Sequence, residues 1–183
     1  MPNGRQWYVL QVPTGKEAEI KKAIEKRNIK AVVPIGERLI RRGGKWRTEQ
    51  YVIFSGYVFV RLRYDFGKFY AISEINKNIR ILGGGYNPTP LDAEELNTIM
   101  YLSKCLSSLS YVSFNEQNDL IYIKGPLADL KNKIVKIDRR QKKATISIKI
   151  AHKNKEIKLS YIESGEDIQC DENTAQHIEK IIA

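Results

Sequence analysis

Between residues 119 and 163 apolar and polar residues alternate in four short runs, DLIYIKG, KIVKIDRR, ATISIKI and KEIKLSYI. Turn-type residues separate them: GPLADLKN, RRQKK and AHKN. Successive side chains of a strand point to opposite faces, so a period of two decides which residues go inside. A flat sheet of such short strands would leave two bare edges. A small closed barrel leaves none, and the segment is read as one.

The chain before it reads differently. Trp7–Val12 (WYVLQV) is an apolar run of high strand propensity. Thr14-Gly15 opens a helix, KEAEIKKAIEKR, whose Ile20, Ala23 and Ile24 share a stripe. A short strand, AVVPI, follows. The arms ERLIRR and KWRTEQ around Gly43-Gly44 predict a hairpin. With few apolar groups, that hairpin should project. Residues 67–75 have helical spacing, with Phe69, Ile72 and Ile75 on one face. Arg80–Leu82 predicts a short strand. LDAEELNTIMYLSKCL predicts a helix with Asp92, Glu94 and Glu95 in its first turn, where the helix dipole favours them. This order predicts an α+β N-terminal domain over 1–106, an antiparallel sheet flanked by helices. Residues 107–118 (SSLSYVSFNEQN) read as a linker, 119–164 as the all-β module, and 165–183 as an acidic tail with a short helix.

One strand of the first domain is unusual. Residues 52–62 read VIFSGYVFVRL. Val58, Val60 and Leu62 share one face; Tyr57, Phe59 and Arg61 share the other. In the first strand, Leu10 and Val12 face with Tyr8, and Val9 with Trp7. Helices on one side of the sheet would cover Leu10, Val12, Val58, Val60 and Leu62. Val9, Tyr57, Phe59 and Trp7 then lie on the far face, with Phe54 in the preceding loop. Each ring carries roughly 150–250 Å², so three or four would rival the ~300–600 Å² of a monomer's largest apolar patch. Two readings stay open: a partner site, or a face covered by the hairpin or the second domain.

Charge narrows the partner. The chain has 183 residues and a net charge of +10, which suits a polyanion or an acidic protein face. Residues 119–164 carry twelve Lys and Arg against five Asp and Glu, whereas 165–183 carry one Lys against five acids. No apolar stretch approaches the ~20 residues of a membrane span, and the first residues lack a signal core. Cys105 and Cys170 are read as reduced thiols, and a cytoplasmic location is expected. With His152 and His177 they give no metal-ligand spacing. No nucleophile and base are paired, and Gly83-Gly84-Gly85 lacks the GxxxxGK context of a phosphate loop. No enzyme, metal or cofactor is expected.

The segments WYVLQVPTGKE, VVPIGERLIRRGGKWR, FSGYVFVRL and ILGGGYNPTPL resemble, in order and spacing, the N-terminal (NGN) domain of NusG-type transcription elongation factors. NDLIYIKGPLADLKNKIVKID resembles the Tudor-like KOW module that follows it, with its Gly-Pro-(apolar)-Ala-Asp turn. The resemblance spans roughly residues 6–164. It implies a monomer whose NGN domain docks on the clamp helices of RNA polymerase through Trp7, Val9, Phe54, Tyr57 and Phe59. It also places Arg41, Arg42, Lys45 and Arg47 at a hairpin tip near upstream nucleic acid; a solvated basic tip is the alternative.

Two departures from the family pattern matter. Phe54-Ser55-Gly56-Tyr57 stands where the family has Phe-Pro-Gly-Tyr. Ile150-Ala151-His152-Lys153 stands where housekeeping members carry Ile-Phe-Gly-Arg, whose Phe contacts Rho or a ribosomal protein. The chain is most similar to the LoaP branch, antiterminators that bind a leader RNA hairpin. That implies RNA contact through Lys131, Lys133, Arg139, Arg140, Lys142, Lys143, Lys153, Lys155 and Lys158, with Tyr122 and Tyr161 available for stacking. The alternatives are an RfaH-like factor recruited by nontemplate DNA at the transcription bubble and a ribosome-associated KOW protein.

Overall fold

The structure, a computed structural model, describes residues 4–104 and 109–165. Cys105, Cys170, His177 and the expected acidic tail from 166 onward lie outside the described residues. In chain order the elements are β1 (Gln6–Gln11), α1 (Glu17–Glu25), β2 (Lys30–Val32), β3 (Ile35–Arg42), β4 (Lys45–Val52), β5 (Tyr57–Leu62), α2 (Phe66–Ser73), β6 (Arg80–Ile81) and α3 (Ala93–Lys104). There follow β7 (Ser110–Phe114), β8 (Leu120–Lys124), α4 (Pro126–Asp129), β9 (Ile134–Asp138), β10 (Lys143–Ile150) and β11 (Lys153–Glu163). The chain divides into two compact units. Residues 4–34, Val52–Lys104 and Lys149–Lys155 make the first; Ile35–Tyr51, 109–148 and 156–165 make the second.

The first unit is built on a four-stranded sheet in the order β2-β5-β1-β6, antiparallel throughout. Tyr8 lies opposite Val60 and Leu10 opposite Val58. As the alternation predicts, this face packs Tyr8, Leu10, Val12, Val58, Val60 and Leu62 against Ile20 and Ile24 of α1 and Ile72 of α2. The helices form where local chemistry allows. Asp65 caps α2 by accepting the Lys68 N–H at 2.8 Å. Asp92 and Glu95 form a reciprocal capping box at α3: Asp92 Oδ1 accepts the Glu95 N–H at 2.8 Å and Glu95 Oε2 accepts the Asp92 N–H at 3.0 Å.

The second unit departs from the sequence reading in three ways. Its main sheet has five strands, in the order β8-β7-β11-β10-β9. The extra strand, β7, comes from the stretch expected to be a linker. It pairs antiparallel with β8 and parallel with β11. Ser and Asn residues mask the alternation there, yet Leu109 and Val112 are buried. Among the described residues no pairing joins β8 to β9, so the module is a half-barrel rather than a closed barrel. The β3–β4 hairpin is not a bare projection either. Its turn is as read, with Gly43 and Gly44 both at positive φ (56° and 79°), the geometry a two-residue hairpin turn requires. But Leu39 is buried with Leu109 and Ile162, and Trp46 and Tyr111 pack against them. The Leu39 N–H donates to Ser160 Oγ at 3.1 Å, and the Tyr51 hydroxyl donates to the Lys158 carbonyl at 2.8 Å. A single well-placed leucine gives the hairpin a buried face that its polar composition concealed.

Candidate binding surfaces

Val9 lies opposite Phe59 on the sheet face turned away from α1 and α2, and Trp7 and Tyr57 share their parity. The expected aromatic cluster therefore exists, and Phe54 meets Phe59 edge to face with centroids 5.3 Å apart. Of the two readings left open, the structure shows this face covered. Val9, Phe54 and Phe59 have no exposed surface, and Trp7 and Tyr57 are half-buried. Neither Val9, Phe54 nor Phe59 belongs to the helix-side core, so this is a second buried layer. Ile99 and Leu102 of α3 and Ile150 and Ala151 are buried in the same unit and likewise stand apart from the helix-side core.

The 149–155 segment reaches this layer through two contacts. Lys155 Nζ sits 5.2 Å from the centre of the Tyr57 ring. The His152 N–H donates to Glu95 Oε1 at 2.8 Å. Ala151 and His152 both adopt positive φ (48° and 63°), which makes the tight turn that presents that N–H. Glu95 is nearly fully buried, so two backbone N–H groups hold its carboxylate, one from its own helix cap and one from the turn.

Sequence spacing gave no hint of a metal site, yet Asp92, Glu95 and His152 bring ligand-type atoms within 4.8 Å of one another. Both Glu95 oxygens already accept N–H groups, so the cluster works as a hydrogen-bonded latch. Glu17 is a similar case. It is buried, and its Oε1 accepts the Gly56 N–H at 2.7 Å. Gly56 has φ +81°, and its carbonyl accepts the Val12 N–H at 2.8 Å. The FSGY loop is thus fixed without the family's proline. Sequence reasoning named Glu95 but not its burial, and passed over Glu17, because a carboxylate in a first helical turn normally reads as a solvated dipole partner.

The basic candidates divide. Arg41, Arg42, Lys45 and Arg47 are all exposed around the β3–β4 turn. In the half-barrel, Lys131, Arg140 and Lys158 are exposed, and Lys143 and Lys158 share a pocket with Lys136, Asp138 and Glu156. Lys153 is exposed in the first unit. Three others are engaged. Arg139 forks onto Glu163, contacts Asn118 and stacks 4.7 Å from the Phe114 ring centre. Lys142 is buried, with Nζ 5.7 Å from the Trp46 ring centre. Lys155 covers Tyr57. Tyr161 is buried and cannot offer a stacking surface, whereas Tyr122 is half-exposed.

Two phenols stand out electrostatically. Burial pushes Tyr51 up to about 12, with Arg38 opposing. Burial, with Glu163 and Asp138 adding and Arg139 opposing, pushes Tyr161 up to about 12.

Residues 5–100 match a family model described as transcription termination factor NusG. The Helicobacter pylori (strain ATCC 700392 / 26695) transcription termination/antitermination protein NusG is 24% identical over 164 residues, covering 84% of this chain and 93% of that protein. The Thermus thermophilus protein of the same name is 25% identical over 178 residues, covering 85% and 95%. A solved structure described as domain interaction in Thermotoga maritima NusG overlaps 85% of this chain and 93% of that chain, with 17% identity and a TM-score of 0.46. With over half its length matched by the family model, this chain belongs to the NusG family of transcription termination and antitermination factors.

Proposed function

We propose that this chain is a specialised processive antiterminator, which holds RNA polymerase through the first unit and a leader RNA hairpin through the second. The observation that carries the polymerase half is the aromatic layer of Val9, Phe54, Tyr57 and Phe59, distinct from the core that holds the sheet to its helices. A ring-rich layer that a short turn helps to cover suits exchange of one cover for another. Docking then requires the 149–155 turn to leave, releasing Tyr57 from Lys155 and Glu95 from His152. Trp7, half-buried on the same parity, extends the docking face.

The RNA half is supported by Lys131, Lys133, Arg140, Lys143 and Lys158 on the half-barrel; Lys153, exposed in the first unit, is a separate candidate. The domain division follows the same logic: an NGN domain to residue 106 and a KOW module over 119–164, which recruits β7 from the intervening stretch.

A second reading, recruitment by nontemplate DNA, is favoured by the four exposed cations at the β3–β4 turn. On α1, by contrast, Lys16 and Lys21 already pair with Glu19 and Glu25.

Tyr57→Ala should abolish capture of RNA polymerase while leaving RNA binding unchanged. Undiminished capture would reject the docking face. A gel-shift comparison of hairpin RNA with single-stranded DNA separates the two recruiting ligands.

A further inference from the structure

We propose a second binding site in the first unit, independent of whether the aromatic face docks polymerase: a cationic pocket that takes a nucleotide, phosphate on its rim and base on its floor. A cavity of about 370 Å³ is lined by Arg5, Arg27, Lys30, Arg61, Arg63 and Lys68. These six cations come from five places in the chain: the lead into β1, the end of α1, β2, the end of β5 and α2. No carboxylate lines the cavity; of the acids nearest in sequence, Asp65 pairs with Lys68 at 3.1 Å and Glu25 with Lys21 at 3.4 Å. The same walls hold Ile29, Leu62 and Ala71, an apolar surface beside the charges.

The strand register supplies an independent argument. Arg61 of β5 lies directly opposite Lys30 of β2. Like charges facing one another across a pair of strands destabilise the sheet. Neither forms an ion pair among the described residues, and Lys30 Nζ rests 5.9 Å from the Trp7 ring centre instead. Two exposed cations held in register, with the Trp7 ring beside one of them and no carboxylate among the described residues on either, leave charge available to an anion that is not part of the chain. Arginine presents a planar fork that matches phosphate in two contacts. The volume is at the small end of the ~300–1,000 Å³ range of ligand pockets, suited to one nucleotide. Inorganic phosphate alone would leave the apolar floor unused.

A nucleotide could arrive free or as one unit of a single strand; both present phosphate beside a base. The test uses the full chain, with a fluorescent ATP derivative and a short fluorescein-labelled oligothymidylate as probes, read by anisotropy at low salt. Wild type is compared with Lys30→Gln/Arg61→Gln. Loss of two charge-assisted contacts should weaken the pocket's ligand about tenfold or more. Weakened binding of the ATP derivative assigns the pocket to a free nucleotide. Weakened binding of the oligothymidylate alone assigns it to a unit in a strand. A double variant that binds both probes as tightly as wild type, or a wild type that binds neither, overturns the proposal. The double variant should melt no lower than wild type, because a repulsive pair is removed. If it melts lower, Lys68→Gln on α2 takes its place, with the same readout and the same outcomes.

Discussion

At the scale of single residues, two buried groups carry more than their type suggests. Glu17 occupies the otherwise unmatched N–H of Gly56. Glu17→Ala strands that donor in a buried position and should cost about 1–3 kcal/mol in urea unfolding. Gly56→Ala meets no hard clash, since an added Cβ would stand 3.5 Å from Thr14 Oγ1 and the Val12 carbonyl. Its φ of +81° is the obstacle, and the substitution should cost roughly 1–2 kcal/mol. The raised phenols predict the alkaline limit of stability. Tyr51 and Tyr161 remain protonated in the fold to about pH 12. In the unfolded chain they lose their protons near the ordinary tyrosine value of about 10. Their contribution to stability is therefore complete below about pH 10 and is lost as pH rises from there through 12. Absorbance at alkaline pH should show a phenolate fraction that appears late, together with unfolding.

Elements show what alternation reveals and what it conceals. The helix-facing set of β1 and β5 could be read directly, because Leu10, Val12, Val58, Val60 and Leu62 alternate without interruption. So could the Gly43-Gly44 turn, since few residues other than glycine accept two successive positive φ values. The burial of the β3–β4 hairpin was not legible. Leu39 and its neighbour Ile40 stand among charges, and the partners of Leu39, Leu109 and Ile162, lie far away in sequence. β7 was hidden for the same reason, its parallel partner β11 being some fifty residues on. Of the candidate sites, the parity of the aromatic face was legible, but its burial was not. The contacts of Lys155 and His152 depend on a turn that opens on Ala151, a residue not typical of positive φ. Leu39→Ala should cost about 2–5 kcal/mol in denaturant unfolding, as a cavity in a core rather than a trimmed surface. Asp65→Ala should loosen α2 by about 1 kcal/mol through loss of its cap. Hydrogen bonds from Lys68 hold the Asp65 carboxyl below the usual carboxylate range. That cap is therefore in force at neutral pH and weakens as pH falls through the acid range.

For the whole molecule, the engaged cations set the scale of RNA binding. Arg139, Lys142 and Lys155 are committed to Glu163, Trp46 and Tyr57. Six of the nine candidates remain; if all six meet phosphates, affinity should fall about 1,000-fold between 50 and 200 mM salt, against about 100-fold if only four do. A slope measured by filter binding over that range decides between them. The order of synthesis adds a further consequence. The four strands of the first sheet are complete once Ile81 has been made, whereas Lys155 and His152 follow some seventy residues later. Chains fold from the N-terminus as they emerge. For that interval the nascent chain has a finished sheet and a Tyr57 with no lysine over it, and Glu95, once made, still lacks the His152 N–H. Every newly made copy thus passes once through the uncapped form, before its own turn exists to close it.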